Sequence, residues 1–374
     1  MHRQNFNKTQ IETSALIHNL KALQSLLGPQ TAITAVVKAD AYGHGMVRAA
    51  RIFSEGGAQR LAVAHLNEAL ALRRAGIKPP IVLLRGILNR GEAEAVVEHD
   101  FISVLPEAET GVILNQESLR RGKRARVQLK IDTGMGRLGV AWSECGEFVA
   151  RVLKLSGLHP EGLLSHLSSA DEEDRSFSRI QIERFRSCLA AADAAGMETG
   201  ASSLANSAGA LWYPEARFGM VRPGIMLYGG SPAPELDLPV ELRPAMSFKS
   251  LVIQIRDLPA HTPVSYGRTF VTSRATRVAV IAAGYGDGLP RALSNRGSVL
   301  IGGAKVPILG RVCMNLTMAD ISALPQVAPG DEAVFLGAQG KALLSGDEVA
   351  AAANTICYEI FCSLGRQGVY ITGR

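Results

Sequence analysis

AVVKADAYGHG, residues 35–45, changes character abruptly in its middle. Ala35, Val36 and Val37 continue an apolar, β-branched run that begins at Ala32, and then come Lys38, an aromatic residue at Tyr42, and glycines at 43 and 45. A short apolar run bounded by turn residues reads as a strand buried on both faces, as in a parallel sheet. An ammonium at the end of such a strand is costly to desolvate. Its pKa tends to fall, which suits capture of an aldehyde. Taken alone, the segment also fits an ordinary rim lysine whose stem lies on apolar surface while its head reaches water.

The same texture spreads in both directions. Upstream, Leu16, Leu20, Leu23 and Leu27 recur at helical spacing, with Ser14 as the expected cap and Gly28-Pro29 as the stop. Downstream, strands are expected at 61–64, 81–84, 102–105, 127–131, 162–165, 200–204 and 220–228, with a helix over 67–75. Together with 32–37 these make eight strands separated by helices, which predicts an α/β unit, a parallel (β/α)8 TIM-type barrel. An open, doubly wound sheet is the competing arrangement. The polar residues that follow the strands (Lys38, His65, Asp132, His166, Asn206 and Arg222) favour the barrel, because a closed ring gathers them at one mouth.

After Gly230 the pattern changes. SPAPELDLPVELRP, residues 231–244, reads as a linker, and beyond it come short alternating strands with turn signals. The expected division is a barrel over 1–235 and a mainly β domain over 236–374. Within the latter, Val299, Ile301, Val306 and Ile308 flank Gly302-Gly303, a hairpin by turn chemistry.

Composition excludes several classes. With 47% hydrophobic residues in 374, the chain buries a large core and is not wholly disordered. No apolar run approaches a membrane span, and MHRQNFNKTQ lacks the apolar segment of a secretory signal, so a cytoplasmic protein without a membrane partner is expected. The five cysteines form no CxxC pair and the histidines show no zinc spacing, so no metal is expected. A net charge of +6 raises the question of nucleic acid, but the cations are scattered and aromatics are only 5%, so no nucleic-acid partner is expected.

Along nearly its entire length the chain resembles the alanine racemases. The resemblance rests on VKADAYGHG (37–45), LKIDTGMGRLG (129–139), ANSAG (205–209), VRPGIMLYG (221–229), PVSYGRTF (263–270), GYGDGLPR (284–291), GRVCMN (310–315) and TICYEIFC (355–362), in family order. It implies an enzyme, an isomerase dependent on pyridoxal 5'-phosphate that interconverts L- and D-alanine and supplies D-alanine for peptidoglycan. Lys38 would carry the cofactor and act as base for the D-enantiomer, with Tyr266 serving the L-enantiomer. Asn206 and Ser207, with Tyr42, Tyr358 and the backbone amides of Gly224 and Ile225, would belong to the cofactor site. Arg222 would face the pyridine nitrogen, and His166 would link it towards Tyr266. Arg137 would bind the substrate carboxylate, and Lys130 would be a carbamylated lysine bracing Arg137. Tyr285 and Met314 would narrow the pocket around a methyl side chain. The resemblance further implies a homodimer in which Tyr266 and Met314 reach the other protomer's active site.

Racemisation itself demands two groups, since a proton leaves one face of a planar carbon and another arrives on the opposite face. Three positions and one run depart from the family pattern: Asn315 where aspartate is usual, Gly286 where alanine is usual, His261 where glycine is common, and the run GRQGVY at 365–370. Other functions compete, among them a structural or regulatory protein that keeps the fold without activity, to which Asn315 lends weight although both expected bases remain. A broad-specificity amino-acid racemase would differ only in pocket volume, a decarboxylase of the same barrel class lacks its motifs here, and a barrel-only cofactor carrier leaves the β domain without a purpose.

Overall fold

The computed structural model describes residues 6–366 and 369–372. Residues 1–5 of the amino-terminal segment, and Gln367 and Gly368 of the departing GRQGVY run, lie outside the described residues.

Parallel pairing runs from Ala32–Val36 to Arg60–Val63, Ile81–Leu83, Ile102–Leu105, Ala125–Asp132 and Leu158–Leu164 in turn. Leu164 then bridges Ser203, Ser203 bridges Met220, and Met220–Val221 returns to Ala32 and Ile33. The ring closes as a barrel, and the doubly wound alternative falls. Its last two members are much shorter than expected. The segment 200–204 contributes a single bridged residue, Ser203, and 220–228 contributes only Met220–Val221 before a 3-10 helix at Ile225–Tyr228. Pro223 has no amide hydrogen for a ladder, which ends the strand and frees the following backbone for the site.

The first helix, Thr13–Leu27, also differs in its start: the carboxylate of Glu12, not Ser14, is the cap, accepting from the Ser14 amide and hydroxyl. Gly28 ends it at φ 72°, as the sequence predicts. Leu16, Leu20 and Leu23 are fully buried, each contributing roughly 1.5–3 kcal/mol through removal from water. At the amino end of the barrel, buried Glu161 pairs with both Arg60 and Arg126, so the carboxylate is not left uncompensated.

The β domain is organised on one long strand, Met246–Leu258, which pairs antiparallel with Glu332–Gln339 and Thr276–Ile281. The hairpin at Gly302-Gly303 forms as expected between Ser298–Ile301 and Ala304–Pro307, with both glycines at positive φ. Lys8–Glu12, from the start of the chain, is laid into this sheet beside Met246–Leu258 and Val369–Thr372. The two ends of the chain thus meet in the second sheet.

Candidate active site

Lys38 stands at the carboxyl end of the first barrel strand, and the chain beyond it does something unusual. Ala39 (φ 53°), Asp40 (52°), Ala41 (55°) and Tyr42 (53°) form a left-handed turn. Each such residue costs about 1–2 kcal/mol, so surrounding contacts must offset the turn. Glu68 Oε1 accepts from the Ala39 amide at 2.7 Å, and Asp40 Oδ1 accepts from the Met46 amide at 2.7 Å. Nδ1 of the fully buried His44 donates towards the carbonyls of Ala41 (3.0 Å) and Tyr42 (3.1 Å). Gly43 lies so close to the helix Cys357–Gly365 that a Cβ there would sit 2.3 Å from the Phe361 carbonyl oxygen. Burial, more than the neighbouring Arg137 and Arg222, lowers the Lys38 amine, while Glu68 opposes the shift.

The Tyr42 ring sits 5.1 Å from that of Tyr228 and 5.9 Å from that of Tyr358. Its hydroxyl reaches Gly224, where a Cβ would stand 2.4 Å away, and the Gly224 amide donates to Ser207 Oγ at 2.9 Å. Hydroxyls of Tyr42 and Ser207 and the Gly224 backbone therefore converge beside Ile225, a grouping suited to an anion. Asn206 is used differently from the others: its Oδ1 caps the helix Ser207–Trp212 by accepting from Gly209 at 2.9 Å, which orients Ser207.

Arg222, 5% exposed, donates from Nη1 to the carbonyl (2.8 Å) and Oγ (2.6 Å) of Ser203, and from Nη2 to the Ser165 carbonyl and to His166 Nδ1 at 3.2 Å. Its partners are carbonyls, a hydroxyl and an imidazole rather than a carboxylate. Burial, with a contribution from Arg137, draws it down to about 9, which leaves it charged at neutral pH. His166 is pushed well below its usual value, first by burial and then by Arg222, Lys130, Arg137 and Lys38. Lys130, 7% exposed, is brought to about 7 by burial, then by Arg222 and Arg137. Beyond it, Asp132 accepts from the amides of Gly134, Met135 and Gly136, each at 2.8 Å, and so shapes the exposed loop that presents Arg137.

A second cluster lies on the β domain. Tyr266 is 71% exposed, Met314 57% and Tyr285 43%. The amides of Tyr285 and Gly286 donate to the carbonyls of Cys313 (3.0 Å) and Met314 (2.7 Å), so these segments run paired. Ser265 (φ 65°) ties the Tyr266 turn to them by donating to the Arg311 carbonyl at 2.6 Å. Asn315 Nδ2 donates to Asp287 Oδ2 at 3.1 Å. Among the described residues, no hydrogen bond joins Tyr266 to Lys38 or to another residue of the barrel mouth. Tyr358 alone of the second segment's expected residues lies with the mouth cluster, beside Tyr42.

The barrel portion, residues 11–232, matches the family model described as the alanine racemase amino-terminal domain, and residues 245–370 match its carboxyl-terminal domain. The chain belongs to the alanine racemase family. An alanine racemase of Syntrophobacter fumaroxidans is 44% identical over 357 residues, covering 96% of this chain and 95% of that one. Among solved structures, an alanine racemase of Streptomyces lavendulae superposes with a TM-score of 0.93 at 35% identity, covering 98% of this chain and 97% of that one. That of Bacillus anthracis with bound L-Ala-P gives 0.88 at 32%, covering 97% and 94%.

Three parts of this mouth are not legible as such in the sequence. Glu68 falls inside the expected helix 67–75, where an acidic residue three positions after His65 is a cap signal. Ser203 and Ser165, which hold Arg222, carry no local signal. Among the described residues, no group of histidine, cysteine and carboxylate side chains could hold a metal, and no helix is long and apolar enough to cross a membrane.

Proposed function

We propose that this member of the family is a cytoplasmic homodimer that interconverts L- and D-alanine by a two-base mechanism with pyridoxal 5'-phosphate, supplying D-alanine for peptidoglycan. The observation that carries the reading is the meeting, at one barrel mouth, of a lysine amine lowered by burial and a buried guanidinium with no carboxylate among its hydrogen-bonded partners. The residues present fit the cofactor: an amine for its aldehyde, a cradle of hydroxyls and glycine backbone for its phosphate, and a fixed cation for its ring nitrogen. When bound, pyridoxal phosphate acidifies the α-hydrogen of an attached amino acid by drawing electron density into its ring.

Lys38 would hold the cofactor at its aldehyde, and Tyr42, Ser207, Tyr358 and the amides of Gly224 and Ile225 would hold its phosphate, with Asn206 orienting Ser207. Arg222, charged at neutral pH, would face the ring nitrogen and, as a cation, would disfavour a proton there, which would moderate that withdrawal. Arg137 takes the substrate carboxylate with its planar fork. Lys130, as a carbamate, places an anion against Arg137.

Proton movement is divided between two chains. Lys38 removes the α-proton from D-alanine, and Tyr266 of the partner subunit acts on the opposite face. Because Nδ1 of His166 accepts from Arg222, Nε2 carries the hydrogen and can donate to the Tyr266 phenolate while the ring stays neutral. Met314 and Tyr285 of the partner subunit close the pocket around a methyl group. The barrel mouth of each chain thus supplies one half of a site, and the β domain supplies the other half to its neighbour.

Tyr266→Phe tests the division. The enantiomers are equal in free energy, so net racemisation falls equally in both directions; wash-out of an α-deuterium does not. Exchange from L-alanine falls by about a hundredfold or more, while exchange from D-alanine persists through Lys38. Equal losses overturn the assignment.

A further inference from the structure

The carboxylate of Glu68 joins two neighbouring strand ends. Oε1 accepts from the amide of Ala39, the first peptide beyond Lys38, at 2.7 Å. Oε2 accepts from the amides of Ala64 (2.9 Å) and His65 (3.0 Å), where the next barrel strand passes into its helix. A cap of the helix Leu66–Arg74 needs only the His65 contact. The bond to Ala39 is additional, and it falls at the start of the left-handed turn, where the backbone is least able to hold its own shape.

We propose that Glu68 is a positioning residue for Lys38: by tying the peptide after Lys38 to the rim of the adjacent strand, it fixes where the amine stands for both cofactor capture and proton transfer. The inference rests on the reading that Lys38 binds the cofactor and serves as base. Its charge acts in the same place. The groups that act on the amine are Arg137 from the loop after Ala125–Asp132, Glu68 from Leu66–Arg74, Cys362 from Cys357–Gly365, and Arg222 after Met220–Val221. Glu68 heads the groups that oppose the two guanidiniums.

Three variants separate the roles. Glu68→Asp keeps the charge and is one methylene too short to span both strand ends; Glu68→Gln keeps the length without the charge; Glu68→Ala removes both. The readouts are the equilibrium affinity of the apoprotein for pyridoxal phosphate, followed by absorbance, and the pH profile of α-deuterium wash-out from D-alanine by the holoenzyme. Glu68→Asp and Glu68→Ala should weaken cofactor affinity about tenfold or more. Glu68→Gln and Glu68→Ala should move the acid limb of the D-alanine profile to lower pH by roughly half a unit or more, because an anion beside the amine is gone. Variants that melt at lower temperature yet keep the parent's affinity and acid limb overturn the proposal and leave Glu68 a helix cap. Should Glu68→Ala fail to fold, the other two decide the same question. Lys38→Ala is measured alongside: if it retains the parent's cofactor absorbance, the reading beneath fails first, whatever the Glu68 variants do.

Discussion

Nη2 of Arg222 meets Nδ1 of His166 at 3.2 Å, and since a guanidinium has only hydrogens to offer, the nitrogen it meets is an acceptor. The contact fixes the tautomer of His166 and ties it to the barrel wall, because the same guanidinium holds Ser203 and Ser165. Removing Arg222 therefore does two things. Arg222→Ala strands buried carbonyls, which costs about 2–3 kcal/mol in unfolding experiments. It also relieves His166 of its nearest cation, so the imidazole titrates higher than in the parent, still below its ordinary value because burial remains. Histidine NMR titration checks this, and an unmoved His166 contradicts the electrostatic role given to Arg222.

The proposed sharing of each site between two chains makes a prediction that no single-chain arrangement makes. Lys38→Ala and Tyr266→Phe homodimers are both inactive in racemisation, yet mixing and re-forming dimers places an intact Lys38 opposite an intact Tyr266 in one of the two sites of each hybrid. Random assortment makes half the dimers hybrid, so about a quarter of parent activity returns. Complementation is absent if both groups act within one chain.

How far the sequence reaches depends on what a signal is made of. Strand ends such as Lys38 and the hairpin at Gly302-Gly303 are legible because periodicity and turn chemistry are local. The left-handed turn is not, since Ala39, Asp40, Ala41 and Tyr42 lack the glycine that would announce it. Contacts of Glu68, His44 and Phe361, remote in sequence or aimed at backbone, hold it instead. The same holds at His261, which sits at φ 65° where glycine is the favoured residue. The strand Met220–Val221 is shorter than its apolar run because apolar residues continue past Pro223 into a 3-10 helix.

Burial of His44 links stability to pH. Its folded value is about 4 against an ordinary 6.5, so between these the unfolded chain binds a proton that the folded chain refuses. The stabilisation is complete above 6.5 and is lost as pH falls towards 4, amounting to roughly 3 kcal/mol from this group. His166, also lowered, adds in the same direction. His44→Asn offers a donor to the Ala41 carbonyl without titrating. Its urea midpoint is lower at pH 8 and falls less steeply on acidification; an equally steep fall assigns the acid lability elsewhere.

At about 7, Lys130 is substantially neutral under ordinary conditions, and a neutral amine adds carbon dioxide, losing one proton to give a carbamate anion. Arg137 and Arg222 are the cations that would stabilise it. With ¹³C-labelled bicarbonate the parent gives a carbamate resonance that Lys130→Ala lacks, and the variant loses about tenfold to a hundredfold in activity as Arg137 loses its brace. No resonance in the parent removes the carbamate from the mechanism.

The departure at Asn315 has a local reason in its amide: Nδ2 donates to Asp287 Oδ2, the atom that also accepts from the Gly284 amide at 3.0 Å. Aspartate at 315 would turn that donor into a second carboxylate in this chain. Gly286 fits the same arrangement, since a Cβ there would approach the Met314 carbonyl to 3.0 Å and Asn315 Nδ2 to 3.2 Å. Asn315→Asp therefore loosens the turn that carries Tyr285, by about 1 kcal/mol at this exposed position and less in high salt. The effect should appear as a raised KM for alanine, with kcat less affected, because the role proposed for Tyr285 is to shape the pocket rather than to move a proton. Adding Asp287→Asn supplies a donor to the new carboxylate at 315 but sets it against the Gly284 amide, so the parent's KM returns only in part, and the double-mutant cycle shows coupling smaller than the single loss. If Asn315→Asp alone matches the parent at low salt, the bond to Asp287 does not set the pocket.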